Sequence, residues 1–64
     1  MAYLKSYTLL FDEEETSKLK TDVFSIYRSE EMEDDNPIIS GLYIRNSEFH
    51  NHPPEKISLR LEWK

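Results

Sequence analysis

The sequence KISLRLEWK at residues 56–64 alternates polar and apolar side chains without interruption. Extended backbone produces this two-residue repeat, because successive side chains leave opposite faces of a strand. The segment therefore predicts a β-strand with one buried face. That buried face would carry the apolar residues Ile57, Leu59, Leu61 and Trp63.

Two more segments upstream also have the composition of strands. Tyr3 to Phe11 carries apolar side chains on both faces, which predicts a central strand or one covered on both sides. Ile38 to Arg45 is rich in β-forming residues and follows Asn36–Pro37. Gly41 lies within that third strand, where it predicts a bulge or a point of close packing.

Residues 12–28 fit two alternatives. Asp12 and Glu15 have the spacing of a capping box, and acidic side chains in a first turn favour a helix. The β-branched and aromatic residues of the second half favour a strand instead. We favour a strand over about residues 21–28, preceded by a single short helical turn.

The predicted fold class is therefore all-β or β-rich α+β. We expect a small four-stranded antiparallel meander in one domain over residues 1–64, with room for one short helix within residues 13–28. Ser29–Pro37 and Asn46–Glu55 are expected to be loops. Since a single sheet without a sizeable helix leaves one face uncovered, we also expect homodimerisation through sheet faces or edges.

The composition excludes several classes of function. A chain of 64 residues cannot hold a large enzyme scaffold, and its lack of cysteine excludes disulfides, iron–sulfur clusters and thiol nucleophiles. Its only glycine, Gly41, excludes a glycine-rich phosphate loop. We expect neither enzymatic activity nor a cofactor. The sequence shows no signal-peptide pattern and no apolar run of the roughly 20 residues that a membrane span needs, so a cytoplasmic protein is expected.

The charges are segregated along the chain. Residues 12–35 contain ten acidic and three basic side chains, a net charge of −7, whereas the remainder has a net charge of +2. Asp12–Glu15 and Glu30–Asp35 account for most of the negative charge. Because eight extended residues span about 27 Å, the sequence predicts two anionic patches at opposite ends of the segment between them.

Segregated negative charge favours a partner with a basic surface. We expect a small acidic protein-binding inhibitor or antagonist that blocks a basic site on a nucleic-acid-acting enzyme. In size and charge layout the chain resembles phage-encoded anti-defence and host-takeover proteins and bacterial antitoxin or immunity proteins. The residues expected to attract the partner are Glu13, Glu14, Glu15, Glu30, Glu31, Glu33, Asp34 and Asp35. The candidate aromatic anchors are Tyr27, Tyr43 and Trp63.

Two other functions are kept as alternatives. The chain would bind single-stranded nucleic acid if its basic and aromatic strand residues shared one sheet face, although its net charge of −5 opposes this. The strand residues in question are Tyr3, Lys5, Tyr7, Tyr43, Arg45, Lys56, Arg60 and Lys64. A non-catalytic structural or oligomerisation module is the other alternative.

The segment around the two histidines has a weak metal-binding pattern. Glu48, His50 and His52 are spaced by two residues, so they would share one face if the segment were extended. Such a spacing arises easily by chance, and we expect no metal.

Overall fold

The computed structural model describes all residues from 1 to 64. Six strands, one α-helix and one 3-10 helix make up the fold. In chain order they are β1 (Tyr3–Phe11), α1 (Glu13–Lys18), β2 (Phe24–Ser29), β3 (Met32–Glu33), β4 (Asn36–Pro37), β5 (Leu42–Arg45), the 3-10 helix (Asn46–Phe49) and β6 (Lys56–Trp63). No helix has the length and apolar character to cross a lipid bilayer.

Four strands form one antiparallel sheet in the order β5-β2-β1-β6, and β3 and β4 form a separate hairpin. The predicted strand-rich antiparallel fold class is confirmed. The first three long strands are neighbours in chain order, but β6 returns across the sheet to pair with β1. This return gives the spatial order of a Greek key. The β1–β6 ladder runs from Tyr3 opposite Trp63 to Leu10 opposite Lys56.

The hydrophobic core lies on one face of the sheet. Tyr7, Leu9 and Tyr27 form its centre, and Leu9 and Tyr27 are fully buried. The partly buried residues around them are Phe11, Ile39, Leu42, Ile44, Phe49, Ile57 and Leu59. Because Ile39 follows β4 and Phe49 belongs to the 3-10 helix, the segments outside the sheet cover this face.

The local predictions for residues 12–28 are confirmed in outline. The Asp12 side chain accepts a hydrogen bond from the backbone N–H of Glu15 at 3.1 Å and begins α1. Because β1 ends at Phe11, no β1 residue pairs with Ile26 of β2. Thr16 of α1 provides the hydrogen bond instead, since its Oγ1 accepts the N–H of Ile26 at 2.9 Å. The strand predicted over residues 21–28 is β2.

The third predicted strand is shorter than expected. Ile38 to Gly41 lies outside the four-stranded sheet, and β5 begins at Leu42. The expected bulge or close contact at Gly41 is not found, since nothing lies within 4 Å of the position that a Cβ would occupy. Gly41 instead has a φ of +64°, which glycine adopts without steric cost. The loop predicted over residues 29–37 contains the β3–β4 hairpin.

The predicted buried face of β6 is buried over only half of its length. Ile57 and Leu59 are partly buried, whereas Leu61 and Trp63 are 40% and 49% exposed. The reason is the register, because the ladder between β1 and β2 stops at Leu9 opposite Ser29. Beyond that level β1 and β6 continue as a two-stranded projection, here called the β1–β6 arm (residues 3–6 and 60–63).

Candidate functional site

The structure contains one cleft, of about 340 Å³, on the sheet face opposite the core. Its walls come from the start of α1, from β2, from the end of the β3–β4 hairpin and from β5. The lining residues are Asp12, Glu15, Ile26, Arg28, Pro37, Ser40, Gly41 and Tyr43. Of the two acidic segments of the sequence, Asp12–Glu15 lines this depression through Asp12 and Glu15, and Glu30–Asp35 contributes no residue to it.

The acidic side of the cleft is fixed by the entry into α1. The Asp12 N–H donates to the carbonyl of Ile26 at 2.8 Å, which ties the beginning of the helix to β2. Glu15 extends from the first turn of α1 into the cleft. Lys18 lies 3.1 Å from the carboxylate of Glu15 and 3.8 Å from that of Glu14. The hydrogen bond and the charge of Glu15 raise the pKa of the Lys18 ammonium above its usual value.

Within the other acidic segment, the Glu30 N–H donates to the carbonyl of Thr8 at 2.8 Å. The Glu30 carboxylate also lies 3.9 Å from Lys56 Nζ, and Glu31 Oε1 accepts from the Thr8 N–H at 3.4 Å. These contacts hold the base of the β3–β4 hairpin beside β1.

The tip of the hairpin is the least neutralised part of the surface. Glu33 pairs with Asn36, so Asp34 and Asp35 form a two-residue turn with φ values of 52° and 64°. None of the three carboxylates at the tip (Glu33, Asp34 and Asp35) has a cation within 4.0 Å, and neither does Glu13. These side chains are all exposed.

The two acidic segments are arranged differently from the prediction. They were expected at opposite ends of an extended segment, but α1 lies alongside Ile26 in the middle of β2. The path from Ile26 to Ser29 is three residues, about 10 Å of strand. The first segment lines the cleft through Asp12 and Glu15, whereas the second stays outside it and only Pro37, which follows that segment, lies in the lining.

The candidate aromatic anchors separate into accessible and inaccessible residues. Tyr43 is 55% exposed and lines the cleft, with its ring edge-to-face against Phe24 at 6.2 Å. Tyr27 is wrong as a partner contact, because it is fully buried and its hydroxyl donates to the carbonyl of Pro54 at 2.7 Å. Burial raises the pKa of the Tyr27 phenol above its usual value. Trp63 is half exposed but lies on the β1–β6 arm, outside the cleft.

Arg28 is a charged cleft residue outside the predicted set of partner-binding residues. Its side chain is partly buried in the cleft, and no carboxylate lies within 4.0 Å of it. The alternation of side chains along β2 places Arg28 on the same face as Ile26, and Ile26 lies opposite Tyr43. This alternation is the sequence feature that could indicate Arg28 as a site residue.

The basic and aromatic residues expected for nucleic-acid binding do not all share one sheet face. Tyr3, Lys5 and Tyr7 lie on the core face of β1, whereas Arg60 lies on the opposite face, because it pairs with Ser6. Tyr43 is opposite Ile26 and so is also on the far face. The basic and aromatic residues are therefore divided between the two sides of the sheet.

The Glu48, His50 and His52 segment is not extended either. Glu48 belongs to the 3-10 helix, and His50 follows it in the left-handed conformation with a φ of 54°. The three side chains therefore do not leave one face of a strand, and no group of three acidic or histidine side chains lies close enough to hold a metal ion.

Comparison with known proteins gives no match to a family model, to a curated protein or to a solved structure.

Proposed function

We propose that this protein is a small, non-catalytic antagonist that binds a basic site on another protein. The observation that carries the proposal is the cleft, where Asp12 and Glu15 lie beside the exposed ring of Tyr43. A lysine or arginine side chain of a partner would meet carboxylates and an aromatic face there. Such groups bind cations through ion pairs and through the quadrupole of the ring.

The cleft also specifies a second requirement for the partner. Arg28 lies in the same depression without a carboxylate partner. It would need a hydrogen-bond acceptor once a bound partner covered the cleft and excluded water from it. A carbonyl or a carboxylate next to the partner's basic side chain would satisfy it. The site therefore fits a protein surface that carries both kinds of group better than it fits an isolated cation.

The hairpin tip would act mainly on the rate of association. Glu33, Asp34 and Asp35 are exposed and unpaired, so their field extends into the solvent over about 8 Å at physiological ionic strength. Charge of this kind steers encounter more than it strengthens the final complex. A groove built for nucleic-acid phosphates is a basic surface that such charge would find, so we propose a nucleic-acid-acting enzyme of the cytoplasm as the target.

The test compares two neutralised variants of equal net charge. In the site variant, Glu33→Gln, Asp34→Asn and Asp35→Asn remove the hairpin charges, and asparagine tolerates the left-handed turn. In the control variant, Asp22→Asn, Glu48→Gln and Glu55→Gln remove three exposed carboxylates that do not line the cleft. Tagged forms of both are used to capture partners from the native host, and association rates with the purified partner are then measured at two salt concentrations.

We expect the site variant to associate about tenfold more slowly than the control variant, and we expect this difference to shrink as salt rises. Tyr43→Ala should instead speed dissociation, because it removes the aromatic wall of the cleft. Equal association rates for the two triple variants would contradict the proposed role of the hairpin. Normal binding by a Tyr43→Ala, Glu15→Gln double variant would contradict the cleft as the contact site.

A further inference from the structure

The outer edge of β6 is the longest unpaired strand edge in the molecule. β6 is the last strand of the sheet and has eight residues, and no other segment hydrogen-bonds to its outer side. The other terminal strand, β5, has four residues. An open edge presents a row of free N–H and C=O groups that can pair with another strand.

The direction of the backbone groups follows from the register. The Phe11 N–H donates to the carbonyl of Glu55, so the odd-numbered residues of β1 face the β6 side. Their partners in β6 are also odd-numbered, beginning with Tyr3 opposite Trp63. In an antiparallel ladder the intervening residues face away, which leaves the backbone groups of Ser58, Arg60 and Glu62 directed outward.

The same segment exposes apolar side chains on its core face. Leu61 and Trp63 remain 40% and 49% exposed, although the alternation of β6 gives them the same orientation as the buried half of the strand. A second strand paired along the edge would lie beside these side chains and cover part of them.

From this edge we infer that β6 pairs antiparallel with β6 of a second copy of the chain, about a two-fold axis at Leu61. Charge complementarity selects this register. With Leu61 opposite Leu61 of the second copy, each Arg60 lies opposite a Glu62, and Trp63 lies opposite Leu59. This register pairs the opposite charges and brings the exposed apolar residues together, and two-fold symmetry forms each Arg60–Glu62 and Trp63–Leu59 contact twice.

The neighbouring registers are less favourable. Centring the pair on Arg60 places two guanidinium groups opposite each other, and like charges that face each other across strands destabilise the pairing. Centring it on Leu59 matches Lys56 with Glu62 but places Trp63 opposite Glu55, which leaves the exposed ring without an apolar neighbour. Charged side chains commonly protect strand edges from self-association. Here the opposite signs of Arg60 and Glu62 complement each other under two-fold symmetry.

This interface is distant from the cleft, which lies at the β2–β5 side of the sheet. Pairing through β6 would join two four-stranded sheets into one and leave both clefts accessible. The inference therefore does not depend on the proposed function, and either can fail while the other holds.

The test is a charge-swap series followed by sedimentation equilibrium. The wild-type chain should sediment at about twice its monomer mass of 7.7 kDa. Arg60→Glu and Glu62→Arg, made singly, should each raise the dimer dissociation constant about tenfold or more, because each places like charges opposite one another twice. The double swap Arg60→Glu, Glu62→Arg restores opposite signs and should restore the dimer.

Lys56→Glu is the matched control, because Lys56 lies on the same strand and face but beyond the paired segment. It should leave the dissociation constant within about twofold of wild type. Trp63 gives a second readout, since it is the only tryptophan and its emission should shift to shorter wavelength as the dimer forms.

Three outcomes would overturn the inference. One is a monomer at protein concentrations up to about 1 mM. Another is a double swap that dissociates as readily as the single variants. The last is a Lys56→Glu variant that dissociates like them, which would indicate the register centred on Leu59. In the first case, binding of an extended peptide from another protein along β6 of the monomer would assign the edge to that protein instead.

Discussion

The rings of Tyr3 and Trp63 stack across the β1–β6 ladder, with centroids 5.5 Å apart and planes inclined by 18°. The two residues are directly opposite each other at the last step of the ladder, and both remain half exposed. This pair closes the end of the arm, where neither β2 nor a loop supports the two strands.

We predict that the two rings stabilise the arm cooperatively. Tyr3→Ala and Trp63→Ala should be non-additive, with a coupling free energy of about 0.5–1.5 kcal/mol in a double-mutant cycle. Urea denaturation at low protein concentration measures it without a contribution from self-association. A double-mutant cycle of Phe24 with Arg45, whose guanidinium carbon lies 5.0 Å from the centroid of the Phe24 ring, provides a comparison. Additive effects of the Tyr3 and Trp63 changes would show that the stack contributes nothing.

The hydroxyl of Thr16 should be required where α1 replaces a strand beside β2. Thr16→Val keeps the shape of the side chain but leaves the N–H of Ile26, which is almost fully buried, without its acceptor. We expect a loss of about 1–3 kcal/mol in the free energy of unfolding, measured in urea. Thr16→Ser retains the hydroxyl and is the matched control, so equal losses in both variants would contradict this role.

Tyr27 should make the stability of the protein sensitive to high pH. Burial raises the pKa of its phenol above the ordinary value of 10.0, so the folded state favours the protonated form. That contribution is fully present below pH 10 and is lost as the pH rises through the folded pKa. The free energy of unfolding should therefore fall more steeply above pH 10 in wild type than in Tyr27→Phe.

The pH experiment needs one correction for a second group. The pKa of Lys18 is also raised, through Glu15, so its stabilising contribution is lost over a similar range. Lys18→Met separates the two effects because it removes only the lysine contribution. At neutral pH, Tyr27→Phe should itself cost about 1–3 kcal/mol, since the carbonyl of Pro54 loses its donor. Parallel profiles for wild type and Tyr27→Phe would exclude Tyr27 as the source.

We expect the two aspartates of the Asp34–Asp35 turn to lower the stability of the folded protein and to favour association with the partner. Both residues have positive φ, as a type I′ turn requires, and Asn-Gly is the dipeptide that fits this turn best. Asp34→Asn with Asp35→Gly should raise the free energy of unfolding by about 0.5–2 kcal/mol in thermal or urea denaturation. The same change should slow association with the partner, because two of the hairpin charges are removed. A stabilised variant with an unchanged association rate would separate the turn from binding.

The sequence predicts β6 from its strict alternation and β1 from the apolar side chains on both of its faces, because both patterns are local properties. β1 and β6 are found at their predicted positions, and the helical turn at residues 13–18 follows from the capping residue Asp12. The β3–β4 hairpin was missed because its turn is not Asn-Gly, and two aspartates at positive φ give no strong local signal.

Of the residues that the sequence predicts for partner binding, Glu15 and Tyr43 line the cleft. Tyr27 and Arg28 are adjacent in the chain, yet one is buried in the core and the other lines the cleft. Their orientation depends on the register of β2, and a shift by one residue would exchange them. Apolar or aromatic side chains occur on both faces of that strand, at Phe24, Ile26 and Tyr27, so periodicity alone could not choose between the registers.

The Greek-key return of β6 has a consequence for how the chain folds. Tyr3 and Trp63 meet only when a loop that includes nearly every residue has closed, and Leu9 is enclosed only after Ile57 arrives. Non-local pairing of this kind slows the search for the native state, because the entropy of the open loop is lost before the ladder compensates for it. During synthesis, one edge of β1 would stay unpaired until β6 emerged, because β6 is its neighbour on that side of the sheet.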